Sequence, residues 1–183
     1  MEKRDLYNEK RELINKTIFK DEDIPEGCYI LMVVAFIEDL DGKYLIQKRS
    51  ESKGGQWAFT GGHPKHGESS LEGVKTEIKE ELGIVAENPI LFKSVKGKNV
   101  FCDLYYIMQD IDLNNVVKQD EEVSEVMLAT KEEIDAEMEK FARRLSECIE
   151  RFGLAETSIR MRGLDDVKSE LTTFNYNNLY YYE

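Results

Sequence analysis

Residues 61–84 read GGHPKHGESSLEGVKTEIKEELGI, and this stretch constrains the fold more tightly than any other in the chain. Two glycines precede a polar loop, and Ser69 with Glu72 forms the capping box that starts a helix. Leu71, Val74, Ile78 and Leu82 recur at helical spacing, so one face of that helix has to lie on another layer. Gly83 is placed to end it as a C′ residue. Beside the apolar stripe stand Glu77, Glu80 and Glu81. Like charges at this spacing destabilise an isolated helix, so a fold that keeps all three calls for a neutralising cation. Oxygen-only ligands suit Mg²⁺ or Mn²⁺. The stretch points to a divalent-metal site serving chemistry on a phosphate-containing substrate.

The 183 residues suffice for one domain with a substantial core. A net charge of −12 speaks against binding a nucleic-acid backbone, which needs a basic face. It does not exclude a small phosphorylated substrate, because a bound metal reverses the local field. No apolar run approaches the ~20 residues of a membrane span, and the opening MEKRDLYNEKREL lacks the apolar core of a secretory signal. Cys28, Cys102 and Cys148 have no CxxC spacing, which suits reduced thiols in the cytoplasm. The only histidines, His63 and His66, read as polar surface residues of the loop rather than as ligands.

The remaining pattern predicts strands on both sides of the helix. Residues 3–27 form a short hairpin or an extended lead-in, closed by a Pro25-Glu26-Gly27 turn. The run CYILMVVAFIED has the β-branched and aromatic character of a central strand, and KYLIQKRS follows across an Asp41-Gly42 turn. Residues 52–55 are a loop, and 56–60 a short strand leading into the glycines. Residues 90–95 and 100–109 make two more strands around Lys96-Gly97-Lys98-Asn99, and an irregular acidic stretch leads to a strand over 123–129. Thr130 caps a second helix with Ile134, Met138, Phe141, Leu145 and Cys148 on one face. The expectation is an α+β domain with a mixed sheet between helices.

Gly62, Glu68 and the run Thr76-Glu77-Ile78-Lys79-Glu80-Glu81-Leu82-Gly83-Ile84 resemble the Nudix hydrolase signature, G-x5-E-x7-R-E-U-x-E-E-x-G-U, with U a bulky aliphatic residue. Trp57-Ala58-Phe59-Thr60 before the paired glycines matches the family's flank. The resemblance implies an α/β/α sandwich over residues 28–152, with 1–27 as lead-in and 153–183 as a C-terminal extension. The lead-in itself resembles that of a bacterial subgroup related to isopentenyl-diphosphate isomerase. Hydrolysis of a diphosphate bond in a nucleoside diphosphate derivative, with Mg²⁺ or Mn²⁺, is the implied activity, and a homodimer is compatible with the family. Glu77, Glu80 and Glu81 are the implied metal ligands, one of them or a later carboxylate orienting the attacking water. The Gly61 carbonyl is a further ligand, and Glu68 belongs to the catalytic set. Glu121 or Glu122 occupies the region that supplies another carboxylate. Arg49, Trp57 and Gly62 are candidates for the substrate side, with a surface salt bridge for Arg49 and a core position for Trp57 as the alternatives.

One position departs from the signature: Thr76 stands where the family has arginine. Threonine is expected to be too short to pair with a glutamate, leaving Glu68 to Lys65, Lys75 or Lys79 and the metal geometry looser. Two other functions fit parts of the chain. An isomerase would use a cysteine in a TCCSHP-like segment, whereas Cys102 lies in Phe101-Cys102-Asp103-Leu104 with no such neighbours. A nucleotide-binding module that releases no product would tolerate the Thr76 departure.

Overall fold

The computed structural model describes residues 2–134 and 136, and residues Met1–Ala129 form one compact unit. Its centre is β3 (Ile30–Glu38), whose β-branched and aromatic residues are buried along most of the strand. β3 runs parallel to β8 (Val100–Met108) over its whole length, from Ile30 opposite Val100 to Glu38 opposite Met108. Its other edge is shared. β4 (Tyr44–Arg49) pairs with its end at Ile37 and Glu38, and β6 (Thr60–Gly62) with its middle at Val33, Val34 and Ala35. β5 (Trp57–Ala58) and β9 (Val123–Ala129) pair with β4, and β7 (Ile90–Lys96) closes the far edge against β8. The result is a mixed seven-stranded sheet.

Two expectations change in detail. The strand predicted over 56–60 is two strands, because the chain leaves β4 after Ala58 and joins β3 at Thr60. The paired glycines therefore lie in β6 and not in a loop. Gly61 has to be bare: a Cβ there would stand 2.3 Å from the Val33 carbonyl oxygen. The loop expected over 52–55 is in its first half a 3₁₀ turn, Glu51–Lys53.

The helix α1 (Ser70–Leu82) starts at the Ser69/Glu72 capping box and ends at Gly83 in the left-handed region, as its sequence predicts. Val74, Ile78 and Leu82 pack on Val33, Ala35, Ile37, Leu45, Tyr105 and Ile107. Leu71 does not join them and is 41% exposed. In the first turn the inward place belongs to Ser70, which donates to the buried Asp103, and to Gly73, whose missing side chain leaves room for Pro64.

The lead-in is a hairpin of β1 (Lys3–Tyr7) and β2 (Leu13–Phe19). It is tied to the sheet by paired main-chain bonds between Tyr7 and Tyr29 and by an apolar cluster of Leu6, Ile18 and Ile30. Arg11 in its turn ion-pairs with Asp103, which also accepts from Ser70 and Ser94. Thr130 opens the second helix as expected, its hydroxyl accepting from Glu133 N while Glu133 accepts from Thr130 N. Met138, Phe141, Leu145, Cys148 and the extension over 153–183 lie outside the described residues. Among the described residues, no helix is long and apolar enough to cross a membrane.

Candidate active site

The site begins where β6 delivers Gly61 and Gly62 to the sheet surface and the loop over 63–69 turns the chain into α1. Glu77 is part-buried, and one of its oxygens accepts from the His63 main-chain N–H at 3.0 Å. Gly62 makes this possible, since a Cβ there would stand 2.4 Å from the Glu77 carboxylate. Burial, and then the charge of Glu81, push Glu77 up to about 7. Glu2 and Glu80 push the same way.

Glu81 sits one helical turn on. Burial raises it above the usual carboxylate range, against hydrogen bonds from Gln47 and from the Gly61 main chain. Gln47 Nε2 donates at 2.7 Å, and Gln47 is itself held by the Thr60 hydroxyl at 3.1 Å. Glu122 and Arg49 both act on Glu81, one raising and one lowering it. Arg49 and Glu122 thus belong to the Glu81 side of the site. Glu122 also ion-pairs with Lys53 at 2.9 Å, whereas Glu121 is exposed and contributes its carbonyl to Ser50. Trp57 is half-buried on β5, paired with Lys48 next to Arg49.

Glu80 is arranged differently: half-exposed, it forms an ion pair with Lys65. Glu68 settles the question raised by Thr76. The Thr76 hydroxyl reaches it and donates at 2.8 Å, so threonine is long enough after all. The other Glu68 oxygen accepts from the Lys65 main-chain N–H at 2.8 Å. Lys65 therefore serves Glu68 with its backbone and Glu80 with its side chain. His66, expected as a plain surface residue, joins the loop to the hairpin through its Nδ1 and Asp5 Oδ1 at 2.7 Å.

Among the described residues, no three His, Cys, Asp or Glu side chains stand close enough to hold one ion. The donor chemistry fits a hard cation all the same. Glu77 and Glu81 stand part-buried one helical turn apart, each held by an N–H donor; burial raises both, with Glu81 adding to Glu77 and Glu122 adding to Glu81. Completing a three-glutamate set requires Glu80 to leave Lys65. Gln47 and Asp5 escaped the sequence reading. An uncharged polar residue directly after the apolar run Tyr44-Leu45-Ile46 was the available signal for Gln47; Asp5 gave none.

A mixed sheet carrying an acidic helix behind a strand of bare glycines is a framework for cutting phosphoric anhydrides. The chain belongs to the Nudix family, whose domain matches residues 29–152. An uncharacterized Nudix hydrolase of Listeria innocua is 36% identical over 74% of this chain and 84% of its own length. A nucleoside triphosphatase of an Enterobacter strain is 30% identical over 56% of this chain and 84% of its own. The crystal structure of DR0079 from Deinococcus radiodurans shares the fold with a TM-score of 0.63 at 22% identity, over 82% of this chain and 98% of that one. The protein is accordingly a pyrophosphohydrolase. The isomerase alternative loses its thiol as well as its motif: Cys102 is 0% exposed within β8.

Proposed function

We propose that the protein hydrolyses the diphosphate bond of a nucleoside diphosphate derivative, using Mg²⁺ or Mn²⁺ held by Glu77, Glu80 and Glu81 with the Gly61 carbonyl. One observation carries this reading: Glu77 and Glu81 stand part-buried one helical turn apart, each held by an N–H donor, and burial raises both, an arrangement that a proton or a cation relieves. The bound cation would neutralise diphosphate oxygens and acidify the attacking water. Glu77 accepts from the His63 N–H through one oxygen, and its other oxygen is left to the cation or the water's proton; Glu81 accepts from Gln47 and from the Gly61 main chain. Gln47 and the His63 N–H fix the orientation of those carboxylates. Glu68, tied to Thr76 and Lys65, holds the loop against the helix. Arg49 and Glu122 flank Glu81, Arg49 placed to face a phosphate and Glu122 as a further carboxylate; Trp57 and Gly62 border the substrate side.

The relative that is a nucleoside triphosphatase supports a nucleotide substrate. A net charge of −12 supports a small molecule over nucleic acid, and Cys28 and Cys102, neither of them in a disulfide, support a reducing cytoplasm. Residues 28–152 are assigned to catalysis, 1–27 to the lead-in and 153–183 to an extension. The test is a panel of nucleoside diphosphate derivatives with Mg²⁺ or Mn²⁺, comparing the parent with Glu81→Gln. Turnover of one compound by the parent alone identifies site and substrate together. Equal turnover by both proteins removes Glu81 from the chemistry.

A further inference from the structure

The lead-in hairpin does more than cover apolar surface. Asp5 on β1 accepts from His66 Nδ1 at 2.7 Å and from the Gly67 N–H at 2.8 Å. Lys3, two residues before it, accepts from the His66 N–H through its carbonyl at 2.8 Å. The loop that leads into the catalytic helix is thereby clamped to β1 on both sides of Arg4. Arg4 itself is half-buried, and its Nε is fully buried without a hydrogen-bond partner among the described residues. A buried donor left without an acceptor is uncommon and unfavourable.

The charges around this arginine indicate what it faces. Burial pulls its guanidinium below the usual arginine range, while Glu2, Glu77 and Asp21 attract it through space. Glu77 is the carboxylate already placed at the centre of the site. Arg4 thus acts on Glu77 as Arg49 acts on Glu81, two cations from separate elements. An acidic centre acted on by arginines suits a ligand that carries its own negative charge along with a metal. A guanidinium presents a planar fork of donors that matches phosphate oxygens, and no protein acceptor among the described residues holds Nε.

We propose that Arg4, carried on the N-terminal hairpin, binds a phosphate oxygen of the substrate beside Glu77. The hairpin is then a working wall of the active site. This assignment rests on the reading of the site as one that takes a diphosphate.

Inorganic pyrophosphate is the probe, since it carries the diphosphate unit without any choice of nucleoside. Its affinity, measured by calorimetry in Mn²⁺, is compared in the parent, Arg4→Lys and Arg4→Gln, alongside Mn²⁺ affinity and the thermal midpoint of each. Arg4→Gln is expected to weaken pyrophosphate about ten-fold or more, the scale of a hydrogen bond to a charged group. Mn²⁺ affinity is expected to stay within about two-fold, and Arg4→Lys to recover part of the loss through its retained charge. Three results overturn the proposal: a parent that does not bind pyrophosphate, an Arg4→Gln protein that binds it as the parent does, or a loss that only tracks Mn²⁺. If Arg4→Gln unfolds, Arg4→Lys decides, because unchanged pyrophosphate affinity there removes the need for a fork of donors. Failure of the metal reading appears elsewhere, as an Mn²⁺ affinity that Glu81→Gln leaves unchanged.

Discussion

At the scale of single residues the site is a set of carboxylates, each with a distinct partner. Thr76 shows how a break in a signature can be compensated, its hydroxyl taking one oxygen of Glu68. Thr76→Val removes that donor at similar volume, so it should lower stability by about 1 kcal/mol in urea unfolding. Thr76→Arg should tighten Mg²⁺ binding if a guanidinium braces the loop better than a hydroxyl; affinity equal to the parent's would refute the looser geometry expected from sequence. Glu77 gives a pH dependence. Its pKa is raised from 4.5 to about 7 in the fold, so between those values the folded state holds a proton that the unfolded chain has lost. Its contribution is fully present below pH 4.5 and is lost as pH rises through about 7. With metal chelated, the thermal midpoint should fall between pH 5 and 8 more steeply than in Glu77→Gln, and Mg²⁺ should restore it. Identical slopes in the two proteins would exclude Glu77 as the source. The sequence made the identities of these carboxylates legible, because their spacing is local. Their partners were not legible: Gln47 and Asp5 reach the site only through strand pairing and a hairpin packed from far away in the chain.

Elements were legible where their signals are local and obscured where the sheet decides. α1 declared its caps and most of its stripe, yet Leu71 faces water because Ser70 is drawn to Asp103. The glycine pair looked like a loop and is a strand, since only the Val33 carbonyl behind Gly61 reveals why glycine is needed. Asp103 was hidden for a similar reason: nothing in VFCDLYYIM shows that a carboxylate at 0% exposure is paired by an arginine from the lead-in. Removing one partner of a buried pair leaves an uncompensated charge, so Arg11→Met should destabilise the protein by about 3–5 kcal/mol. The double variant Arg11→Met, Asp103→Leu should regain most of that loss. Equal destabilisation in single and double variants would show that the pair is not the unit that matters.

Across the whole molecule, the same hairpin connects folding to function. Tyr7 bonds to Tyr29, Leu6 and Ile18 cover Ile30, Arg11 neutralises Asp103, and Asp5 holds the loop before α1. The sequence could suggest no more than a hairpin or an extended lead-in, because its apolar pulses are too short to announce what they cover. These four attachments make the lead-in part of the fold that carries the site. A chain starting at Cys28 exposes Ile30, whose burial alone is worth about 1.5–3 kcal/mol, and leaves Asp103 charged and unpaired by Arg11. It also frees the loop at His66 and Gly67, which sets the approach to Glu68. The shortened chain should therefore unfold at lower urea and bind Mn²⁺ more weakly, while the variant Asp5→Asn should keep most of the stability and lose part of the loop order. Urea midpoints and Mn²⁺ titrations of the three proteins separate these effects. A shortened chain matching the parent in both would show that residues 28 onward fold and bind alone, and the hairpin would lose its place in the active site.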